Sequence, residues 1–380
     1  MRVAMDIRRA GDFGIGTYLR NILEQLARQD DGTEYSLIGS RRHFDELGPL
    51  PENFTLLPYE ADPGSLRTHV HLPIVLENHR IDLLHMPWFY APAMVPCRLV
   101  ITMHDLTEIA APSVGTSPLV RGGRLWFARR ALERADRILA VSQSAKRELE
   151  KVFGVPGKKI EVIYNAVDER FFSEPLPSDA DRILERHAVS GPYILYAGNV
   201  RPQKNLARLI EAFALVKDEL RDDLEYHNLK LLVIGDSLAP HPDLRRAVVR
   251  ARLREDVRFL GFVPFAALRA FYAKARAFVF PSLYEGFGLP PLEAMANGTP
   301  VLASDASAIP EVLGDAALFV NAENVFDLAR GIRQILTDGG LRETLVRRGY
   351  ALVHRYSWER SAAQVRAVYQ SVSSAPLARR

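Results

Sequence analysis

Short β-branched or apolar runs alternate with longer helical patterns through most of this 380-residue sequence, and that alternation constrains the fold more than any other feature. In the first half, the runs at 3–6, 35–38, 82–86, 99–102, 137–141 and 160–163 read as strands. Between several of them, 16–28 and 123–135 carry apolar residues at three- and four-residue spacing, the period of a helix face. The second half repeats the scheme with strand-like runs at 193–197, 230–234, 257–260, 277–280, 301–303 and 317–320. Strands separated by helices need crossover connections, and these build parallel sheets covered on both faces. The stretch 171–191 breaks the rhythm: Ser173-Glu-Pro-Leu-Pro-Ser-Asp-Ala-Asp-Arg is rich in Pro, Ser and Asp and reads as a linker followed by a short helix. The fold expected is therefore α/β, with two Rossmann-like, doubly wound domains at 1–172 and 190–357. They are expected to face each other across a cleft, where the carboxyl ends of both sheets meet a ligand. A helical tail, about 358–380, is expected to pack back on the first domain.

Hydrophobic residues make up 48% of the chain and charged residues 25%, the balance of a globular enzyme. Cys97 is the only cysteine, which excludes an intrachain disulfide and a cysteine-rich metal site and fits a reducing, cytoplasmic setting. No segment approaches the roughly 18 apolar residues of a membrane span, and MRVAMDIRR has no apolar signal core. The net charge of +3 is unevenly spread. Arg121, Arg124, Arg129, Arg130, Arg134 and Arg137 stand against Glu133 and Asp136, with Trp126 and Phe127 among them. The plain reading is a solvated helix face with two core aromatics. The sharper one is a basic face that meets anionic lipid or a lipid-diphosphate acceptor, peripherally at the inner face of a membrane. Nucleic acid is not expected, because no stacking motif accompanies the arginines.

Chemistry concentrates in four places. In Ser282-Leu-Tyr-Glu-Gly-Phe-Gly-Leu-Pro-Pro-Leu-Glu, a strand ends, Pro290 and Pro291 mark the first turn of a helix, and the loop Glu285–Leu289 faces that helix N-terminus. Free amides and the helix dipole favour an anion there, and Gly286 and Gly288 allow close backbone approach. A diphosphate would repel Glu285 and Glu293, so these carboxylates should bind hydroxyls of a sugar and a ribose. Taken singly, Glu285 is an exposed loop acid and Glu293 a favourable first-turn charge. In Tyr196-Ala-Gly-Asn-Val-Arg-Pro-Gln-Lys-Asn, Arg201 and Lys204 stand between a strand end and a helix that Asn205 can cap, placed to neutralise a diphosphate leaving group. Two surface cations at a loop are the alternative. His104, with Asp105 beside it, directly follows a strand and so faces a cleft; alone, such a histidine is more often structural. Finally, Gly11-Asp-Phe-Gly-Ile-Gly, with Gly14 and Gly16, opens a helix after the first strand. It is a weak signal that a tight strand-to-helix turn also explains.

Glu285 and Glu293 match the spaced double-glutamate motif of the retaining glycosyltransferases of family 4, which have the two-Rossmann-domain GT-B fold. The stretch PSLYEGFGLPPLEAMANGTPVLASDASAIPEVLGDAALFV resembles the mannosyltransferase-type branch throughout. The resemblance covers nearly the whole chain and is strongest over 193–320. It implies that Glu285 contacts the donor sugar and Glu293 the ribose. The amides of Phe287, Gly288 and Leu289, with Gly286, would hold sugar hydroxyls or phosphate. Lys204 and Arg201 resemble the phosphate-binding pair, although many relatives have arginine where this chain has Asn199. The resemblance also puts His104 near the transferred sugar, Asp105 near the acceptor, Gly14 and Gly16 near the donor phosphate, and Phe262 and Val263 against the base.

The reaction implied is transfer of a hexosyl unit, mannose favoured, from a nucleoside diphosphate sugar to an acceptor hydroxyl, with retention and without metal or other cofactor. GDP-mannose is the favoured donor and a UDP-sugar the other. A polyprenyl-diphosphate-linked glycan in surface polysaccharide assembly is the expected acceptor. Two alternatives belong to other classes: a sugar-nucleotide epimerase on the same fold, and a non-catalytic sugar-nucleotide-binding subunit. The second would typically lack Glu285, Lys204 or His104, and all three are present.

Overall fold

The structure, a computed structural model, describes residues 1–29, 32–92, 94–106 and 118–374, without the side chains of 118–121 and 124. Thirteen strands among them form two sheets, numbered here in chain order. Strands β1 (Arg2–Asp6), β2 (Glu34–Gly39), β3 (Phe54–Pro58), β4 (Leu83–Met86), β5 (Arg98–Met103), β6 (Arg137–Ala140) and β7 (Ile160–Val162) form a seven-stranded sheet in the order β3-β2-β1-β4-β5-β6-β7. Strands β8 (Tyr193–Ala197), β9 (Lys230–Ile234), β10 (Val257–Gly261), β11 (Ala277–Phe280), β12 (Val301–Ser304) and β13 (Ala317–Val320) form a six-stranded sheet in the order β10-β9-β8-β11-β12-β13. Every pairing is parallel. The central strands are buried along their length, as in Tyr193–Ala197 and Ala277–Phe280, because helices cover both faces. Strand β3 escapes the sequence reading. It is an edge strand, FTLLP, and an edge is where the N–H that Pro58 lacks is least missed.

The chain divides into two compact units, one of residues 1–166 and 357–380, the other of 167–356. The expected linker 171–191 is therefore part of the second unit. Arg269, only 4% exposed, holds its start by donating to the carbonyls of Phe171, Glu174 and Pro175 at 3.4, 2.5 and 3.1 Å, and Phe171 packs on Phe265 and Tyr272. The tail helix Trp358–Ser374 belongs to the first unit and packs against the helix Phe13–Arg28. Its buried face is a helical stripe of Trp358, Ala362, Val365, Tyr369 and Val372. Ser361 Oγ ties the start of this helix to the carbonyl of Tyr164 at 2.6 Å.

In each sheet the chain reverses its direction of winding once: between β1 and β4 in the first, and between β8 and β11 in the second. Ligands of open α/β sheets bind beyond the carboxyl ends of the strands at such a reversal. Among the described residues, no helix is long and apolar enough to cross a membrane.

Candidate active site

The second unit gathers its site at the β8/β11 reversal. Beyond β8 the chain turns at Gly198 (φ +146°), where Tyr196 Oη donates to the carbonyl of Asn199 at 2.9 Å. A Cβ on Gly235 would lie 2.4 Å from the Gly198 carbonyl oxygen, so glycine lets the loops after β8 and β9 touch. A 3-10 turn, Pro202–Lys204, follows, with Arg201 exposed just before it. Asn205 does precede the helix Leu206–Glu219, but its side chain makes no capping bond. It adopts a left-handed conformation (φ +61°) and donates to the carbonyls of Pro281 at 3.2 Å and Ala322 at 2.7 Å. The amide of Leu283 donates to the carbonyl of Gln203 at 2.8 Å. These bonds stitch the loop after β8 to the loop after β11, and Lys204 Nζ thereby stands 2.5 Å from Glu285 Oε1. The two side chains are 16% and 12% exposed.

The glutamate loop is braced from β12. Ser304 Oγ donates to the carbonyl of Ser282 at 2.5 Å, and the amide of Glu285 donates to Ser307 Oγ at 2.8 Å. Gly286, Phe287 and Gly288 are buried, and the Phe287 ring packs edge-on to Tyr356 at 5.6 Å. Gly288 (φ +94°) opens the helix Leu289–Ala296 with Pro in its first turn, as the sequence suggests, and no side chain caps that N-terminus. Uncapped amides and the helix dipole favour an anion at such an end. One turn on, Glu293 Oε2 accepts from Tyr272 Oη at 2.9 Å. Burial, and secondarily the negative charge of Asp168, push the Glu293 carboxyl up to about 7, against the opposing effect of the Tyr272 bond. Phe262 and Val263 are not part of this cluster. They follow β10 at the sheet edge, two strands or roughly 10 Å from β8. Phe262 is 77% exposed and Val263 4%.

In the first unit, His104 follows β5, partly buried, its ring edge-on to Tyr18 at 4.8 Å. Its Nε2 is buried without a hydrogen-bond partner. Burial, and then the nearby Arg9 cation, push the imidazole down to about 3, so it is neutral at ordinary pH. Tyr18 is fixed in turn: its hydroxyl lies 3.0 Å from Thr102 Oγ1, which lies 2.7 Å from His85 Nε2, whose Nδ1 lies 2.5 Å from Tyr369 Oη. Asp105 is partly buried beside His104. The glycine loop differs from expectation: the helix starts three residues early, at Phe13, because Asp12 ends the loop and gives its carboxylate to Arg9 at 2.6 Å. A Cβ on Gly16 would lie 2.1 Å from the carbonyl oxygen of Ala10, so this glycine serves close packing, whereas Gly14 faces open space.

Sequence reasoning missed Tyr272, Ser307, Asn205 as a brace, His85 and Arg9. Only Arg9, a cation immediately beyond the first strand, left a signal that could have been read. Among the described residues, no group of three or more His, Cys, Asp or Glu could hold a metal ion.

The family described as Glycosyl transferases group 1 matches residues 179–352, and Glycosyltransferase Family 4 matches 14–171. O-antigen chain mannosyltransferase B of Escherichia coli is 30% identical over 374 residues, covering 94% of this chain and 96% of that protein. Sucrose-phosphate synthase from Thermosynechococcus elongatus superposes with a TM-score of 0.79 at 20% identity, over 99% of this chain and 100% of the other. Anabaena HepE, solved in complex with UDP and glucose, gives 0.76 at 20% identity, over 98% and 100%. The fold and the likenesses together define a glycosyltransferase of the GT-B class. Within it, the chain belongs to glycosyltransferase family 4 and is mannosyltransferase-like.

Proposed function

We propose that this enzyme transfers a mannosyl unit from GDP-mannose, with retention of configuration, to a hydroxyl of a polyprenyl-diphosphate-linked glycan during polysaccharide assembly. The observation that carries the reading is the meeting of Lys204 and Glu285 at the β8/β11 reversal, beside the uncapped N-terminus of the helix Leu289–Ala296. The mannosyltransferase relative supports the choice of sugar and pathway. A donor diphosphate takes the Lys204 ammonium and the helix amides, with Arg201 adding a second cation. Glu285, released from Lys204, accepts a sugar hydroxyl, and Glu293 accepts from the ribose. Negative charge grows on the diphosphate as the glycosidic bond breaks, so these donors stabilise the transition state more than the ground state. Neutral His104 can offer a hydrogen bond but no proton on demand. No side chain is assigned as nucleophile: the acceptor attacks from the leaving-group face, and the departing phosphate takes its proton. The reading is metal-independent, so turnover should survive chelation by EDTA.

The test begins with thermal shift against GDP-mannose, GDP-glucose, UDP-glucose and UDP-N-acetylglucosamine, since a ligand of the folded state raises the melting point. The shifting donor is then followed for acceptor-dependent release of nucleoside diphosphate, with the product anomer read by NMR. A UDP-sugar shift without a GDP-mannose shift, an epimerised donor, or an inverted product overturns the corresponding part.

A further inference from the structure

His85 is a polar residue in the middle of the first sheet. It lies on β4, between β1 and β5, and is 0% exposed. Its register pairs it with Val100, so Thr102, two residues further along β5, stands on the same face of the sheet. Two helices meet that face: Phe13–Arg28 brings Tyr18, and the tail helix Trp358–Ser374 brings Tyr369. An unbroken chain of polar atoms results. It runs from Tyr369 Oη through both ring nitrogens of His85 and Thr102 Oγ1 to Tyr18 Oη, in steps of 2.5, 2.7 and 3.0 Å. All four residues are buried, none more than 2% exposed.

Packing alone does not call for such a chain. Apolar side chains of similar bulk would fill the same space without the cost of dehydrating four polar groups. A satisfied polar network in a core instead fixes one arrangement of its members. Burial, and secondarily the nearby His104, push the His85 imidazole down to about 3. The neutral ring donates on one side and accepts on the other, which ties it to both neighbours. The far end of the chain stands against the candidate active site. His104 follows Thr102 by two residues, and the Tyr18 ring, held by its hydroxyl, meets the His104 ring edge-on at 4.8 Å. The tail helix reaches Tyr18 a second time through Trp358, at 6.1 Å and about three turns before Tyr369. Because His104 Nε2 has no hydrogen-bond partner, ring packing and not a bond at that nitrogen orients the imidazole.

We propose that Tyr369, His85 and Thr102 are positioning residues for the transfer reaction: they lock Tyr18, whose ring in turn sets the imidazole of His104 beyond β5. The tail helix thus contributes to the site by holding a residue of the first unit in place. Its effect on rate rests on the transferase reading above, whereas its effect on the His104 ring needs neither donor nor reaction.

The experiment compares Tyr369→Phe and Thr102→Val, which break the chain at two places and keep most of its bulk, with Thr102→Ser, which keeps the hydroxyl and loses a methyl. Each full-length variant is followed by melting point, by kcat and donor KM, and by nitrogen NMR of the labelled histidine rings in the ligand-free protein. The His104 signals are those lost in His104→Ala. Both breaking variants should move or broaden the His104 signals and lower kcat roughly ten-fold while donor KM stays unchanged, the mark of an interaction made in the transition state. Thr102→Ser should melt lower yet keep its kcat, which separates positioning from stability. In the His104→Ala background the breaking changes should cost no further kcat, because coupled residues are not additive. Full kcat in both breaking variants, unmoved His104 signals, or an equal loss without His104 would each overturn the proposal. His104 signals that move in a chain that transfers sugar from no donor would support the positioning chain and count against the transferase reading.

Discussion

Lys204 Nζ and Glu285 Oε1 stand 2.5 Å apart although their residues are 81 positions apart in sequence, each on the loop leaving one of the two strands that flank the sheet's reversal. On the proposed reading, an arriving diphosphate would compete for the Lys204 ammonium, and the carboxylate it displaces would become an acceptor for hydroxyls. Lys204→Ala should therefore weaken donor binding by roughly ten- to a hundred-fold, the range of a lost charge-assisted bond. It also leaves Glu285 largely buried and uncompensated, for roughly 1–3 kcal/mol of stability, less than for a fully enclosed pair. Adding Glu285→Gln to that variant should restore about 1 kcal/mol of stability and no activity. Urea melts of the single and double variants check this; a double variant less stable than Lys204→Ala means that the pair is not coupled.

Glu293 gives a pH prediction with a definite sign. Its carboxyl is raised from 4.5 to about 7 by burial and by Asp168, so between those values the folded protein holds a proton that the unfolded chain has released. Stability therefore falls as pH rises through that window, by up to ~3 kcal/mol once the group is ionised. Glu293→Gln keeps an acceptor for Tyr272 Oη without that cost. Its melting point should match the natural chain near pH 4 and exceed it by several degrees at pH 8, while donor affinity drops. Equal melting points at pH 8 would contradict the burial argument.

His104 makes the opposite statement. Held near 3, far below its ordinary 6.5, it stays neutral in the folded state while the unfolded chain takes up a proton below 6.5. Its contribution to stability is complete above pH 6.5 and is lost as pH falls toward 3. A neutral imidazole cannot impose a titration on catalysis near neutrality. The kcat/KM profile should show no step from this group between pH 5 and 8, and His104→Ala should lower it by ~10- to 100-fold uniformly across that range. A step near 6.5 that vanishes in the variant would mean that His104 works as an acid or base.

Much of this was legible before the structure because periodicity reports burial. Tyr193–Ala197, Lys230–Ile234, Ala277–Phe280 and Ala317–Val320 coincide with the sequence reading, since continuous apolar runs are what central parallel strands require. The glutamate motif and Lys204 were legible for a different reason: glycines, prolines and charges at a strand-to-helix turn limit what the backbone there can do. What stayed hidden lies across long sequence separations. Nothing local marks Tyr272 as the partner of Glu293, Ser307 as the acceptor for the Glu285 amide, or Tyr369 as the partner of His85. Of the stretch 171–191, the short helix Ala180–Arg186 was legible, but Pro, Ser and Asp say nothing of the Arg269 guanidinium that holds the residues before it.

Asn205 tests whether the two loops of the proposed donor site depend on one brace. Its amide satisfies the carbonyls of Pro281 and Ala322, and its φ of +61° is one that asparagine tolerates better than alanine. Asn205→Ala loses both bonds and adds backbone strain, for roughly 2–4 kcal/mol together. Asn205→Gly removes the strain but not the loss of the bonds, so it should be about 1 kcal/mol less destabilised. If the brace sets the distance between Lys204 and Glu285, both variants should bind donor at least several-fold more weakly while remaining folded by circular dichroism. Calorimetric titration with the donor nucleotide decides it: full affinity in Asn205→Gly would mean that the Leu283–Gln203 backbone bond alone positions the pair.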